Sequence, residues 1–380
     1  MRILFIIHSL PIGGAETIVT EYLIKLKEKG HGVALLELHH TDSFLYDQLK
    51  ENDIPVYTAY FGSGKTSFFQ KLKDRIGRRL FTKRNIERLI RRLHPDVIHL
   101  HTTLSYMDRL DFDYKKIVYT FHTNVERTFR RARKGARKAF LNACKKGMSV
   151  VAISEAICND TLKIMPSCDV VTIPNGIDVD TIRSTRIDRE EFCRSVGIPV
   201  NAFVVGHVGR FDPVKNHEKV IDVFAKVHER APNSVLLLIG NGETERVESI
   251  RRRVEKYGLP DVVYFLGTRS DAKSLMSILD CFLLPSYVEG FPLVLGEAQC
   301  FGVRSIATAA VPDEVIINNN CFKLDIAQSD DVWADYALGD FVRKAEGTIE
   351  SIDINTVIDR HVDVYRRMTE TCNVGGCDEE

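Results

Sequence analysis

No stretch of these 380 residues stays apolar for the roughly 18 residues that a membrane-spanning helix needs, which excludes an integral helical membrane protein. The apolar start, Ile3 to Ile7, stops at His8. That is too short for the core of a secretory signal, and no small-residue cleavage site follows it, so a cytoplasmic protein is expected. No Cys-x-x-Cys pair occurs among the nine cysteines, so zinc knuckles and thioredoxin-like chemistry are excluded; reduced, structural thiols are expected. Net charge is also absent, with 52 Lys and Arg against 52 Asp and Glu. What is present is ordinary: 44% hydrophobic and 27% charged residues, 24 Gly and 12 Pro, which excludes disordered, collagen-like and coiled-coil chains. The length suits about two or three domains with sizeable cores.

The zero net charge hides an asymmetry. Residues 1–176 carry 29 Lys and Arg against 18 Asp and Glu, a net +11, and the remainder carries the opposite −11. The amino-terminal half is therefore expected to meet something anionic.

Short β-rich runs alternate with longer amphipathic ones. The expected strands are 2–7, 32–38, 96–101, 116–121 and 149–154 in the first half, then 203–209, 234–240, 262–267, 281–286 and 305–309. Continuously apolar runs separated by helical segments point to parallel sheets buried on both faces. Two doubly wound α/β units follow, residues 1–176 and 177–350, divided at the Pro-Asn-Gly of IPNGID (173–178). Residues 351–380 make a third part, a helix from Ile354 to Met368 that reaches back to the first domain, and a tail. Ligands of open parallel sheets bind outside the carboxyl ends of the strands, so two facing sheets place a cleft between the domains and put the chemistry on the loops that follow strands.

Three such loops carry the chemistry. HSLPIGGAE (8–16) brings Gly13 and Gly14 to the start of a helix, where free N–H groups and the positive dipole end can meet a ligand; the bland alternative is a tight turn. GHVGRFDPVKNH (206–217) sets Arg210 and Lys215 directly after a strand, where a forked and a point cation can hold a diphosphate; the bland alternative is two solvated charges. SYVEGFPLVLGEAQCFG (286–302) puts Glu289 in a loop. Gly290, Phe291 and Pro292 then lead into a helix that starts near Leu293 and contains Glu297. Its N–H groups suit a phosphate or sugar oxygen, and its carboxylates suit sugar or ribose hydroxyls.

GGAE, TFHT (120–123), AISE (152–155), IPNGID, VGR…KNH and the E-x7-E of EGFPLVLGEAQ occur in the order that resembles family 4 glycosyltransferases of the GT-B fold, most closely the bacterial capsular and exopolysaccharide type, over nearly all of residues 1–370. The resemblance implies retaining transfer from a nucleotide-sugar donor, with UDP-sugars favoured, to a glycan or lipid-linked saccharide. It implies Arg210 and Lys215 on the diphosphate, Glu297 on the ribose, Glu289 on the donor sugar and His122 beside the reacting sugar. Gly13 and Gly14 would be donor-binding, with Gly14 near the phosphates or the acceptor, and no metal or other cofactor is expected. Gly296 departs from the family's usual apolar residue, which implies a locally looser helix.

Other patterns are discounted. FGSGKTS (61–67) lacks the first Gly of a phosphate loop, since Ala59 stands there. Asp111 and Asp113 precede a strand, and His39-His40 and His99/His101 lack a third ligand, so no metal site is expected. Lys65–Arg92 has 11 cations against 2 acids and Arg127–Lys146 has nine against none, with Phe interleaved. They read as a patch for an anionic membrane surface, giving peripheral association with its inner face; nucleic acid is excluded for want of a binding fold. The rival readings are a 2-epimerase-like enzyme of the same fold and a non-catalytic sugar-nucleotide-binding subunit.

Overall fold

The computed structural model describes residues 1–60, 83–105, 107–339 and 350–370, and among them thirteen strands form two sheets in which every pairing is parallel. The first contains β1 (Arg2–Ile7), β2 (Gly32–His39), β3 (Val56–Tyr60), β4 (Val97–Leu100), β5 (Ile117–Phe121), β6 (Ser149–Ala152) and β7 (Val170–Thr172). Their order is β3-β2-β1-β4-β5-β6-β7. The second contains β8 (Phe203–Val208), β9 (Ser234–Ile239), β10 (Val263–Gly267), β11 (Cys281–Leu284), β12 (Arg304–Thr308) and β13 (Cys321–Leu324), in the order β10-β9-β8-β11-β12-β13. The chain divides into two compact units, Met1–Gly176 with Ile354–Glu380, and Ile177–Asp353. Each is the doubly wound α/β unit expected from the alternating pattern.

Ten strands fall where the apolar runs placed them. The other three, β3, β7 and β13, are all sheet edges. An edge strand covers only part of its surface, so it need not be continuously apolar. β7 has three half-buried residues and β13 only one buried residue in four.

In the first unit the helix Gly14–Glu28 buries Ile18, Val19, Tyr22, Leu23 and Leu26 at helical spacing. Five such side chains contribute on the order of 10 kcal/mol before chain entropy is subtracted. The helix Ile354–Glu370 belongs to the same unit: Asp359 pairs with Lys29 at 2.6 Å, and the Tyr365 hydroxyl lies 2.7 Å from His99 Nδ1 on β4. In the second unit the helix His217–Arg230 buries Val220, Ile221, Val223, Phe224 and Val227, in one core with Leu236, Ile250, Leu283 and Trp333.

Each sheet reverses its direction of winding once, between β1 and β4 and between β8 and β11. Crevices at such reversals receive ligands. The loop after β8 reaches its crevice because Gly240, at φ +138°, lets the Gly209 carbonyl pass where a Cβ would stand 2.0 Å from that oxygen. Gly240→Ala is expected to destabilise the fold by about 2 kcal/mol or more, through both the disfavoured φ and the collision. Urea denaturation checks this, and an unchanged midpoint would contradict it.

Candidate functional site

Asp212, Pro213 and Asn216 shape the loop after β8. The Asp212 carboxylate accepts from Val214 N–H at 2.9 Å and starts a single 3-10 turn, Pro213–Lys215. Asn216 ends that turn in the left-handed region, at φ 53°, and its side chain caps the helix His217–Arg230. Its amide also donates to the Pro285 carbonyl at 3.1 Å, and Tyr287 N–H donates to the Val214 carbonyl at 2.9 Å. The loops after β8 and β11, the two strands at the reversal, are therefore bound to each other.

That binding brings two sequence-predicted residues together. Lys215 Nζ lies 2.7 Å from Glu289 Oε1, with the Glu289 side chain only 9% exposed. The Lys215 stem runs beside Gly209, where a Cβ would lie 3.5 Å from it. Arg210 is exposed, and among the described residues its side chain has no recorded partner. An exposed Arg and a paired Lys on one loop leave the first free to fork onto an anion, and the second able to exchange a carboxylate for it. Sequence reasoning missed Asn216, although the Lys-Asn-His spelling was in view. It also missed His207, whose Nδ1–H donates to the Leu283 carbonyl at 2.8 Å. Its buried Nε2 has no partner among the described residues and lies 3.2 Å from where a Gly209 Cβ would be.

Gly290, Phe291 and Pro292 lead into the helix Leu293–Cys300, whose amino end has no capping side chain. Pro292 is the N-cap, and the helix starts at Leu293 as the sequence placed it. Glu297 is 5% exposed and faces Lys273 at 3.4 Å. Gly296 does not loosen this helix: a Cβ there would meet Ile177 Cδ1 at 2.1 Å, so glycine permits a close approach. Glu297 is held on a tightly packed helix.

In the first unit, Gly13 is the extended N-cap of the helix Gly14–Glu28. A Cβ at Gly13 would meet Glu16 Oε2 at 2.4 Å. A carboxylate already at that helix end opposes a phosphate and suits a hydroxyl. His122 follows β5 directly, with its Nε2 2.8 Å from His101 Nδ1. His101 rests on Phe5, ring centroids 5.0 Å apart and planes 16° off parallel, and on His99 at 4.1 Å. Desolvation holds His122 down to about 4 and His361 to about 3, and holds His99 and His101 well below the ordinary imidazole value.

The discounted patterns have structural roles. Asp113 caps the turn Tyr114–Lys116 by accepting from Lys115 N–H at 3.0 Å, and Asp111 pairs with Arg91 at 3.2 Å. His40 contacts Glu37 at 2.6 Å and Asp42 at 3.0 Å. Among the described residues no three His, Cys, Asp or Glu converge as metal ligands. FGSGKTS and residues 65–82 of the basic segment Lys65–Arg92 lie outside the described residues. From the second basic segment, Arg130, Arg133, Lys134, Arg137, Lys138, Lys145 and Lys146 are exposed. No helix among the described residues is long and apolar enough to cross a membrane.

The buried imidazoles give stability a pH signature. In the unfolded chain they titrate near 6.5, whereas in the folded state His122 and His207 wait until about 4 and His361 until about 3. Lowering the pH through that window adds protons to the unfolded state alone, so stability present above 6.5 is lost on the way down, at about 1.4 kcal/mol per pH unit for each group once its unfolded form is protonated. The urea midpoint is expected to fall between pH 6.5 and about 5, above the usual carboxylate range. A flat midpoint there would contradict the buried, neutral assignment.

Residues 12–181 match the family described as Glycosyltransferase Family 4, and residues 188–331 match Glycosyl transferases group 1. EpsF of Bacillus subtilis (strain 168), named as a glycosyltransferase, is 32% identical over 43% of this chain, and the match spans 42% of that protein's length. N-acetyl-alpha-D-glucosaminyl L-malate synthase of Bacillus anthracis is 27% identical over 78% of this chain and 76% of its own. The crystal structure of Anabaena HepE in complex with UDP and glucose superposes with a TM-score of 0.72 at 20% identity, covering 98% of this chain and all of that one. With one of these families spanning the first unit's loops and the other the second's, the chain belongs to the family 4 glycosyltransferases.

Proposed function

We propose that this glycosyltransferase moves a sugar from a nucleotide-sugar donor, a UDP-sugar first, to a glycan or lipid-linked saccharide in surface-polysaccharide synthesis, with retention at the anomeric carbon. The observation that carries the reading is the Lys215–Glu289 pair at 2.7 Å, at the reversal of the second sheet, with Arg210 exposed on the same loop. Departure of the nucleoside diphosphate builds negative charge on the β-phosphate. Arg210, Lys215 and the uncapped N–H groups from Leu293 stabilise that charge, and no metal is required. When the diphosphate enters, it takes over Lys215 and frees Glu289 to accept hydroxyls of the donor sugar. Gly290, Phe291 and Pro292 shape the wall of that pocket, and Glu297 accepts the ribose hydroxyls. His122 orients a sugar hydroxyl, while Gly13 and Gly14, with Glu16 beside them, serve the acceptor.

UDP is favoured because HepE was solved with UDP and glucose. Retention is supported by the α-D-glucosaminyl product in the name of the Bacillus anthracis relative, since transfer from an α-configured sugar nucleotide to an α-product keeps the configuration. No side chain is assigned as an enzymic nucleophile, so the acceptor hydroxyl attacks from the face the diphosphate leaves. The exposed cations of Arg127–Lys146 suit an anionic membrane surface beside which a lipid-linked acceptor would lie.

A thermal-shift panel of UDP-, GDP- and ADP-sugars tests the donor, because a ligand that binds only the folded state raises the melting temperature. With the donor so found, proton NMR of the product is expected to show the donor's anomeric configuration, and an inverted product would overturn retention. Lys215→Ala should lower kcat by roughly 100-fold, the cost of losing one donor to a developing anion. Transfer should survive EDTA. Activity lost to EDTA and restored by manganese would show that the cations do not suffice.

A further inference from the structure

The first unit contains a cavity that none of the residues assigned to sugar transfer lines. Its volume is about 410 Å³, within the range of small-molecule sites. One wall is β3, the outermost strand of the first sheet, through the consecutive residues Val56 to Ala59. A second wall is the helix over residues 83–93. Asn85, Arg88, Leu89 and Arg92 all line the cavity, and their spacing of i, i+3, i+4 and i+7 puts them on one helical face. The Asn85 amide donates to the Ala59 carbonyl at 2.9 Å and ties these two walls together.

The lining divides by chemistry. Leu36, Ala59 and Leu89 are apolar and buried, whereas Arg88 and Arg92 are exposed. None of the described residues that line the cavity is acidic. Two acids near its His40 are engaged with that ring: Nδ1 lies 2.6 Å from Glu37 Oε1 and Nε2 lies 3.0 Å from Asp42 Oδ1. The Thr58 hydroxyl also donates to Glu37, at 2.8 Å. Two other cations of the helix are paired, Lys83 with Glu87 and Arg91 with Asp111, both at 3.2 Å. Arg88 and Arg92, one turn apart on the cavity side, have no recorded partner among the described residues. Like charges at i and i+4 repel, and an anion shared between them removes the repulsion.

We propose that this cavity is a second ligand site, which takes a phosphate carried on an apolar body: Arg88 and Arg92 hold the phosphate, and the body lies against Leu36, Ala59 and Leu89. Guanidinium forks match pairs of phosphate oxygens, and being exposed they are open to a ligand without any rearrangement of the fold. The buried apolar lining gives affinity to a body that a free phosphate lacks. The site is separate from the residues that serve the nucleotide sugar and does not rest on their assignment. It also gives the end of the basic segment Lys65–Arg92 a more specific task than a flat face towards a membrane, because two of its cations line a cavity with apolar walls.

Calorimetric titration of the full chain tests this with three probes: dihexanoyl phosphatidic acid below its micelle concentration, dihexanoyl phosphatidylcholine with the same body but no net charge, and inorganic phosphate with no body. Two double variants accompany the wild type. Arg88→Gln with Arg92→Gln removes the cavity cations, and Arg137→Gln with Lys138→Gln removes two exposed cations from the helix Ala136–Lys145. All four side chains are exposed, so the urea midpoints are expected to stay near that of the wild type. The phosphatidic acid should bind saturably, one per chain, with the other two probes about tenfold weaker or more. Its affinity should fall about tenfold or more in the first double variant, as two charge-assisted bonds are lost, and stay within a factor of about two in the second. UDP should not displace it. Undiminished binding in Arg88→Gln with Arg92→Gln overturns the proposal. Equal loss in both double variants reduces the arginines to part of a general basic surface and overturns it too. Phosphatidylcholine bound as tightly makes the cavity an apolar groove with no use for a phosphate, and inorganic phosphate bound as tightly removes the apolar body; either result overturns it. Displacement by UDP places the ligand at the nucleotide site instead, whereas failure of UDP itself to bind would count against the donor reading and leave this titration to be judged by the variants alone.

Discussion

A strand can pair in parallel with its neighbour only if the chain crosses over and starts again from the same end, and that constraint places every reactive group described above. All thirteen strands obey it, so within each unit their carboxyl ends share one edge. At that edge two consecutive windings diverge only at β1/β4 and at β8/β11. The first reversal holds Gly13, His101 and, one strand further on, His122. The second holds Arg210, Lys215, Asn216 and Glu289. Arg210, Lys215 and Asn216 share one loop, but Glu289 joins them because β8 and β11, far apart in sequence, end side by side, as the Lys215–Glu289 separation of 74 residues records.

Charge is treated in opposite ways at the two reversals. In the second unit a cation and a carboxylate are kept charged and paired at the mouth of a loop, where a diphosphate can take the carboxylate's place. In the first unit four imidazoles, His99, His101, His122 and His361, are buried deeply enough to stay neutral. Desolvation is the first cause in each case, and their mutual repulsion would add to it if any were charged. Unpaired charge is affordable only at the surface, and the exposed Arg210 is found there.

Much of this was legible in the amino-acid order. Central strands are buried on both faces, so their apolar runs announce themselves; β3, β7 and β13 escaped because an edge strand has a face to spare. The candidate site was legible where a residue type has one evident use: Arg210, Lys215, Glu289 and Glu297 are charges directly after strands or on the helix behind them. It was not legible where the role depends on a neighbour distant in sequence. His101 looked like a spare strand histidine because its partner, His122, follows another strand. Asn216 looked like a loop residue because its Pro285 acceptor lies 69 positions away. Gly296 suggested looseness, since a sequence shows a missing side chain but not the Ile177 methyl that occupies its place.

The division of charge also bears on the reaction. A sugar leaving a diphosphate develops positive charge at its ring while negative charge collects on the departing phosphate. Cations are useful on the phosphate side and harmful beside the ring. A histidine that could protonate near neutrality would oppose the transition state from the sugar side, whereas one held neutral down to about 4 can still donate a hydrogen bond. On the proposed reading, burying His122 and its neighbours is therefore not a loss of catalytic reach. It removes a charge that would be in the wrong place, and leaves the polarity of the reaction to be set by Arg210, Lys215 and the amino end of the helix Leu293–Cys300.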